Sequence, residues 1–145
     1  MAEKCYFGPM DNVDDSEVKR LLSETVTIAL VGASDMPSKP SNDIMSYLLS
    51  NGYDVIPVNP NHEQVLGREC YPSLLDLDKC VDMVNVFRNP RFLMPIMEEA
   101  IKIRPKCVWL QMGVVNSEAY RLSIEAGILT IMNRCIKTEH KRLML

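Results

Sequence analysis

The residues of this chain best suited to chemistry are glycine, serine, amides and cations. Gly32-Ala33-Ser34 follow the apolar run Val26–Val31, and a polar loop leads through Lys39 to Pro40-Ser41, where a helix begins. A backbone passing close under an anion needs a residue without a side chain, and Gly32 supplies it. The helix start adds unpaired N–H groups and the positive end of a dipole. Further along come Val58-Asn59-Pro60, Phe87-Arg88, Gln111-Met112-Gly113 and Asn133-Arg134-Cys135. This set holds no carboxylate pair, no His/Cys/Asp cluster and no metal-ligand spacing. Its cations, Lys39, Arg88 and Arg134, suit holding a phosphorylated ligand more than transforming a substrate, and no catalytic residue is expected. Cys135 with His140 invites a nucleophile reading, but a thiol needs a base within hydrogen-bond reach, which a separation of five positions does not establish.

The elements that must position these residues alternate along the chain. Met1–Val13 is weakly patterned and reads as an arm lying on the surface, and Asp14–Glu24 as a short amphipathic helix with Val18, Leu21 and Leu22 on one face. Val26–Val31 is a nearly continuous apolar run, as expected of a parallel strand covered on both faces. A helix over Ser41–Asn51 follows, closed by Asn51-Gly52. Asp54–Val58 is a second strand, and a loop through Arg68 and Tyr71 reaches a short helical piece near Ser73–Leu77. Met83–Phe87, Cys107–Gln111 and Leu129–Met132 are three more strands, separated by helices over Asn89/Pro90–Ile103 and Ser117–Ala126. The tail Asn133–Leu145 is polar and basic, then apolar, and carries no element assignment. Strands alternating with helices predict an α/β, Rossmann-like three-layer sandwich with an open, mostly parallel five-stranded sheet. The expected division is an N-terminal arm and helix over 1–25 and the Rossmann-like domain over 26–145.

Composition narrows the partners. A chain of 145 residues fits one domain with one substantial core. Its net charge of −3 argues against a general nucleic-acid or membrane-surface binder, so an anionic ligand must be held by locally placed cations. The five cysteines are odd in number, widely spaced and without a C-x-x-C, which reads as structural thiols in a reduced, cytoplasmic protein without a zinc site. No run approaches the length that a membrane span requires.

In an open parallel sheet, ligands bind outside the carboxyl ends of the strands, near the point where strand order reverses. All the segments named above sit at such ends. NAD-binding folds commonly place Asp or Glu after the second strand to hold the ribose hydroxyls, whereas this chain has Asn59-Pro60, with Asn61 and His62 following. The full G-x-G-x-x-G fingerprint is absent as well. Each residue also has a plainer reading: Gly32 a tight turn, Ser34 a local turn hydrogen bond, Arg88 a structural ion pair, Trp109 core.

With these residues in view, the chain resembles the small stand-alone CoA-binding proteins of the YccU-like type. The resemblance rests on Gly32-Ala33-Ser34 with Pro37-x-Lys39-Pro40-Ser41, and on Gly52-Tyr53-x-Val55-Ile56-Pro57-Val58-Asn59-Pro60. It continues through Leu66-Gly67, Val86-Phe87-Arg88, Trp109-Leu110-Gln111-x-Gly113-Val114 and Asn133-Arg134-Cys135 with Glu139-His140. The domain is similar to the CoA-binding parts of succinyl-CoA synthetase α-subunits and of ADP-forming acetyl-CoA synthetases. The family pattern has Asp-Arg-Cys-Pro where this chain has Asn133-Arg134-Cys135-Ile136. The resemblance implies coenzyme A, or an acyl-CoA, bound without catalysis, by a carrier, sensor or regulatory module. Gly32, Ala33 and Ser34 with Lys39, Pro40 and Ser41 would face the pyrophosphate, and Val58, Asn59 and Pro60 would line the adenosine pocket. Phe87 and Arg88 would flank the nucleotide or pantetheine, and Gln111 to Gly113 would bound the pantetheine side. The alternatives are an NAD(P)-binding oxidoreductase and an accessory subunit of an acyl-CoA ligase.

Overall fold

The computed structural model describes residues 8–145. Its main sheet consists of β1 (Thr27–Val31), β2 (Asp54–Val58), β5 (Met83–Val86), β6 (Cys107–Leu110) and β7 (Leu129–Met132), all parallel and in the order β2-β1-β5-β6-β7. The period of two along each strand sorts the side chains. Ile28, Leu30, Val55, Met83 and Trp109 enter one buried layer, while Ala29, Val31, Ile56, Val84 and Val108 enter the other. Helices α1 (Asp15–Glu24), α2 (Pro40–Ser50) and α5 (Ile136–Met144) cover the first layer through Val18, Leu22, Met45, Leu48 and Ile136. Helices α3 (Leu93–Ile103) and α4 (Ser117–Glu125) cover the second through Leu93, Met97, Ala100 and Ala119. With both faces covered, the strands read as continuous apolar runs, which is the expected three-layer sandwich.

The chain passes from β1 through α2 to the outer strand β2, then returns to lay β5 on the other flank of β1. Strand order therefore reverses between β1 and β5. The loop after β1 leads to α2 on one face and the loop after β5 to α3 on the other, which leaves a crevice at the carboxyl end of this pair.

Three parts differ from the expectation. Residues 8–13, expected as part of an arm lying on the surface, are tied to β7: Met10 N–H donates to the Met132 carbonyl at 3.0 Å, Asp11 accepts from Met132 N–H at 2.9 Å, and Val13 is buried. This segment closes the outer edge of β7; the first seven residues of the expected arm lie outside the described residues. The tail is helix α5, packed on α1 and α2. A small hairpin, β3 (Gln64–Val65) and β4 (Arg68–Glu69), precedes Tyr71, whose N–H donates to the Pro57 carbonyl at 3.0 Å, so the segment covers part of the β2 edge. No helix among the described residues is long and apolar enough to cross a membrane.

Candidate functional site

A two-lobed crevice occupies the switch point. The larger lobe, about 500 Å³, is lined by Gly32, Ser34, Lys39, Pro40, Ser41, Asn59, His62, Phe87 and Arg88, with Met36, Asn89 and Phe92 at its rim. The smaller, about 260 Å³, runs under α3 and is mostly apolar: Val31, Val58, Pro60, Pro72, Pro95 and Ile96, with Ser73 and Glu99 as polar lining. Gly32, Asn59, Arg88 and Phe92 line both lobes, so the two form one groove.

Gly32 is fixed by the fold itself. Its φ is +89°, and a Cβ there would lie 2.9 Å from the Phe87 carbonyl oxygen and 3.1 Å from its carbon. Its N–H donates to the Val58 carbonyl at 2.9 Å, so this residue ties together the ends of β1 and β2 directly beside the loop that follows β5. Ala33 is fully buried and its carbonyl accepts from the Asn59 amide nitrogen at 2.7 Å, while the Asn59 amide oxygen accepts from Asn61 N–H at 2.8 Å. Asn59 thus clasps two loops as well as lining the groove. Ser34 makes the local turn bond, accepting from Met36 N–H at 3.1 Å, and its carbonyl accepts from the Asn42 side chain at 2.9 Å. Asn42 had no place in the sequence reading, yet it anchors the loop on α2.

The N-terminus of α2 opens into the larger lobe without a cap. Asp14 caps α1 and Asn116 caps α4 with side-chain bonds to backbone N–H groups, whereas Lys39 at the head of α2 makes none and Pro40 occupies the first turn. Neither Lys39 nor Arg88 has an ion-pair partner among the described residues. Arg88 instead lays its guanidinium over the Phe92 ring, 4.9 Å from the centroid, with Arg91 at 5.5 Å. Two cations and an open helix start therefore converge on one cavity, an arrangement that attracts an anion.

Other candidates lie elsewhere. Gln111 is buried and structural: its side-chain oxygen accepts from the Asn85 side chain at 3.3 Å and from Ile136 N–H at 3.0 Å. Gly113 N–H donates to the Asn133 side chain at 2.8 Å. Both stand at the carboxyl end of β6, outside the groove. Arg134, expected as a cation at the sheet edge, is buried and committed to Asp11 at 2.7 Å and Glu139 at 3.0 Å. Burial raises the Glu139 carboxyl, but bonds from Arg142 and Arg134 outweigh it and hold that group below the usual range. His140 does not serve Cys135: its Nδ1 lies 2.7 Å from the Tyr47 hydroxyl, and burial lowers its pKa. Burial pushes the Cys70 and Cys107 thiols up, as suits structural cysteines. Among the described residues no group of three His, Cys, Asp or Glu is placed to hold a metal ion.

The groove residues without a site role in the sequence reading are Met36, His62 and Phe92 in the larger lobe and Val31, Pro72, Ser73, Pro95, Ile96 and Glu99 in the smaller one, while Asn89 was placed with Phe87 and Arg88 at the end of its strand. His62 had a signal, since it follows the Asn59-Pro60 strand end. Phe92 had one too, because Asn89-Pro90 opens the 3₁₀ turn Pro90–Phe92 that delivers it.

The same arrangement of elements recurs in known proteins. A hypothetical protein from Pyrococcus horikoshii OT3 superposes with a TM-score of 0.92 at 44% identity, over 95% of this chain and 97% of that one. The uncharacterized protein YneT of Bacillus subtilis is 38% identical over 131 residues, 90% of this chain and 97% of its own. The ADP-forming acetate–CoA ligase II of Archaeoglobus fulgidus is 36% identical over 75 residues, which are 50% of this chain but 11% of the ligase. A family model described as the CoA binding domain matches residues 26–141. The chain therefore belongs to the CoA binding domain family.

Proposed function

We propose that this protein binds coenzyme A or an acyl-CoA in the switch-point groove, as a carrier, sensor or regulatory module without a catalytic step of its own. The observation that carries the reading is the larger lobe, where the uncapped start of α2 meets two unpaired cations beside an apolar slot. CoA presents a pyrophosphate, a phosphate monoester and a flat adenine, and the groove offers a lobe carrying Lys39 and Arg88 in contact with an apolar one. In this reading the phosphates lie against Gly32 to Ser34 and Lys39 to Ser41. The adenine enters the smaller lobe beside Val58, Asn59 and Pro60, with Phe87 and Arg88 between the two. Gln111 and Gly113 bound the path of the pantetheine arm along the sheet edge. NAD fits less well, because no carboxylate follows β2 to hold the ribose hydroxyls and the Asn59 amide is already bonded to Ala33 and Asn61.

Calorimetric titration tests the reading. Full CoA binds more tightly than its 3′-dephospho form and than NAD, and the affinity falls as salt rises because exposed cations contribute. Lys39→Ala and Arg88→Ala each weaken CoA binding by about tenfold, the scale of one charge-assisted phosphate contact. Equal affinities for all three ligands, or unchanged CoA affinity in both variants, refute the assignment. A second reading, an accessory subunit of an acyl-CoA ligase, is favoured by the relatives in which this domain forms about a tenth of an ADP-forming ligase. Copurification with a partner bearing the remaining ligase domains supports it, and a protein isolated alone with CoA bound does not.

A further inference from the structure

A carboxylate stands at the rim of the cationic lobe. Asp35 lies between Ser34 and Met36, both of which line that lobe, and its Oδ1 is 3.7 Å from Nδ1 of His62, which also lines it. The two residues come from different loops, one leading from β1 into α2 and the other following β2, so their contact spans the rim. Neither side chain has another hydrogen-bond or ion-pair partner among the described residues. Their exposures, 56% for Asp35 and 24% for His62, leave the carboxylate open to solvent and the ring turned toward the cavity. An entering phosphate therefore meets a like charge at the rim and a ring already facing an anion, while Lys39 and Arg88 line the same lobe without partners.

We infer that Asp35 is a resident counter-ion of the anion site: it engages His62 in the free protein and must yield that contact when a phosphate group enters. It lowers affinity for every anion, by a repulsion that grows with the negative charge the ligand brings. The inference rests on the reading of this lobe as a phosphate site. It concerns what the free protein holds there rather than which nucleotide arrives.

The test compares the unaltered protein, Asp35→Asn and, as a control, Asp43→Asn. Asp43 sits in the first turn of α2 but is paired with Lys137 at 2.9 Å, and it does not line the cavity. Asp35→Asn binds CoA about two- to fivefold more tightly than the unaltered protein, the range that an exposed ion pair commands. Asp43→Asn leaves CoA affinity unchanged. Equal or weaker binding by Asp35→Asn overturns the inference, and so does an equal gain in Asp43→Asn, which would make the effect one of overall charge. Inorganic pyrophosphate, titrated into the same three proteins, separates this from the CoA assignment. If the unaltered protein takes up no CoA, the proposed function fails, while the gain of Asp35→Asn for pyrophosphate still decides the role of Asp35.

Discussion

Replacing Arg134 with methionine separates a structural cation from a ligand-binding one. The guanidinium is buried and donates to Asp11 at 2.7 and 3.2 Å, to the Val13 carbonyl at 2.6 Å and to Glu139 at 3.0 Å. The Asp11 side chain has 0% exposure, so the substitution leaves a carboxylate buried without its cation. Breaking a buried pair from one side costs about 3–5 kcal/mol. For a domain of this size that lowers the melting temperature by roughly 10 °C. The segment 8–13 that Asp11 pins to β7 should loosen, read as faster amide exchange at Met132. Thermal melts and calorimetry with CoA below the melting point check both halves: Arg134→Met loses stability and keeps its affinity. A loss under about 1 kcal/mol, which is an exposed pair's worth, refutes the structural argument. So does a variant that melts normally but binds CoA poorly.

Gly32→Ala should destabilise by about 1–3 kcal/mol from backbone strain alone, since alanine resists a positive φ. The approach of its Cβ to the Phe87 carbonyl adds to that loss; a melting temperature equal to that of the unaltered protein would contradict it. Because burial lowers the His140 pKa from its ordinary 6.5, the unfolded chain takes up a proton before the folded one as pH falls. Stability from this group is therefore full well above the ordinary value and is lost as pH falls below it. Urea unfolding should show this decline, and His140→Phe should flatten it; an equal slope in both would remove the burial argument.

The strands were legible because the sequence carries them locally. Asp54–Val58 and Leu129–Met132 are apolar runs bounded by turn residues, and both form over those residues. Helix α5 was not legible, because its start has no local cap. Cys135 makes no capping bond, and the acceptor for Ile136 N–H is the Gln111 side chain, delivered from the end of β6. The same holds for residues 8–13, where Asp11 takes the place of a strand partner for Met132 and answers to an arginine 123 positions away. The hairpin at 64–69 turns on Leu66-Gly67, both at positive φ. Gly67 signals such a turn, but leucine at φ 51° does not, since a branched side chain avoids that region. Of the candidate site, the stretches after β1, β2 and β5 were readable as strand ends. Phe92, Ile96 and Glu99 reach the groove from the 3₁₀ turn and α3, whose register against the sheet no short motif encodes.

Gly32 now means something different from what its place in a phosphate-loop pattern suggests. Its positive φ and the nearby Phe87 carbonyl demand glycine whether or not an anion ever binds, so the residue by itself says nothing of a ligand. The same sheet closure that forces the glycine brings the loops after β1 and β5 together, and the crevice is the space between them as they part to opposite faces. What points to an anion is then a set of features the fold does not require. A helix of eleven residues starts with lysine and proline and no side-chain cap, where Asp14 and Asn116 cap α1 and α4, and its open end faces the cavity. Lys39 and Arg88 face the cavity without carboxylate partners, whereas Arg68, Lys79, Arg134, Lys137 and Arg142, also among the described residues, are paired. An uncapped helix start and unpaired cations forgo stability that ordinary substitutions would supply, and their convergence on one lobe is what a phosphorylated ligand would account for.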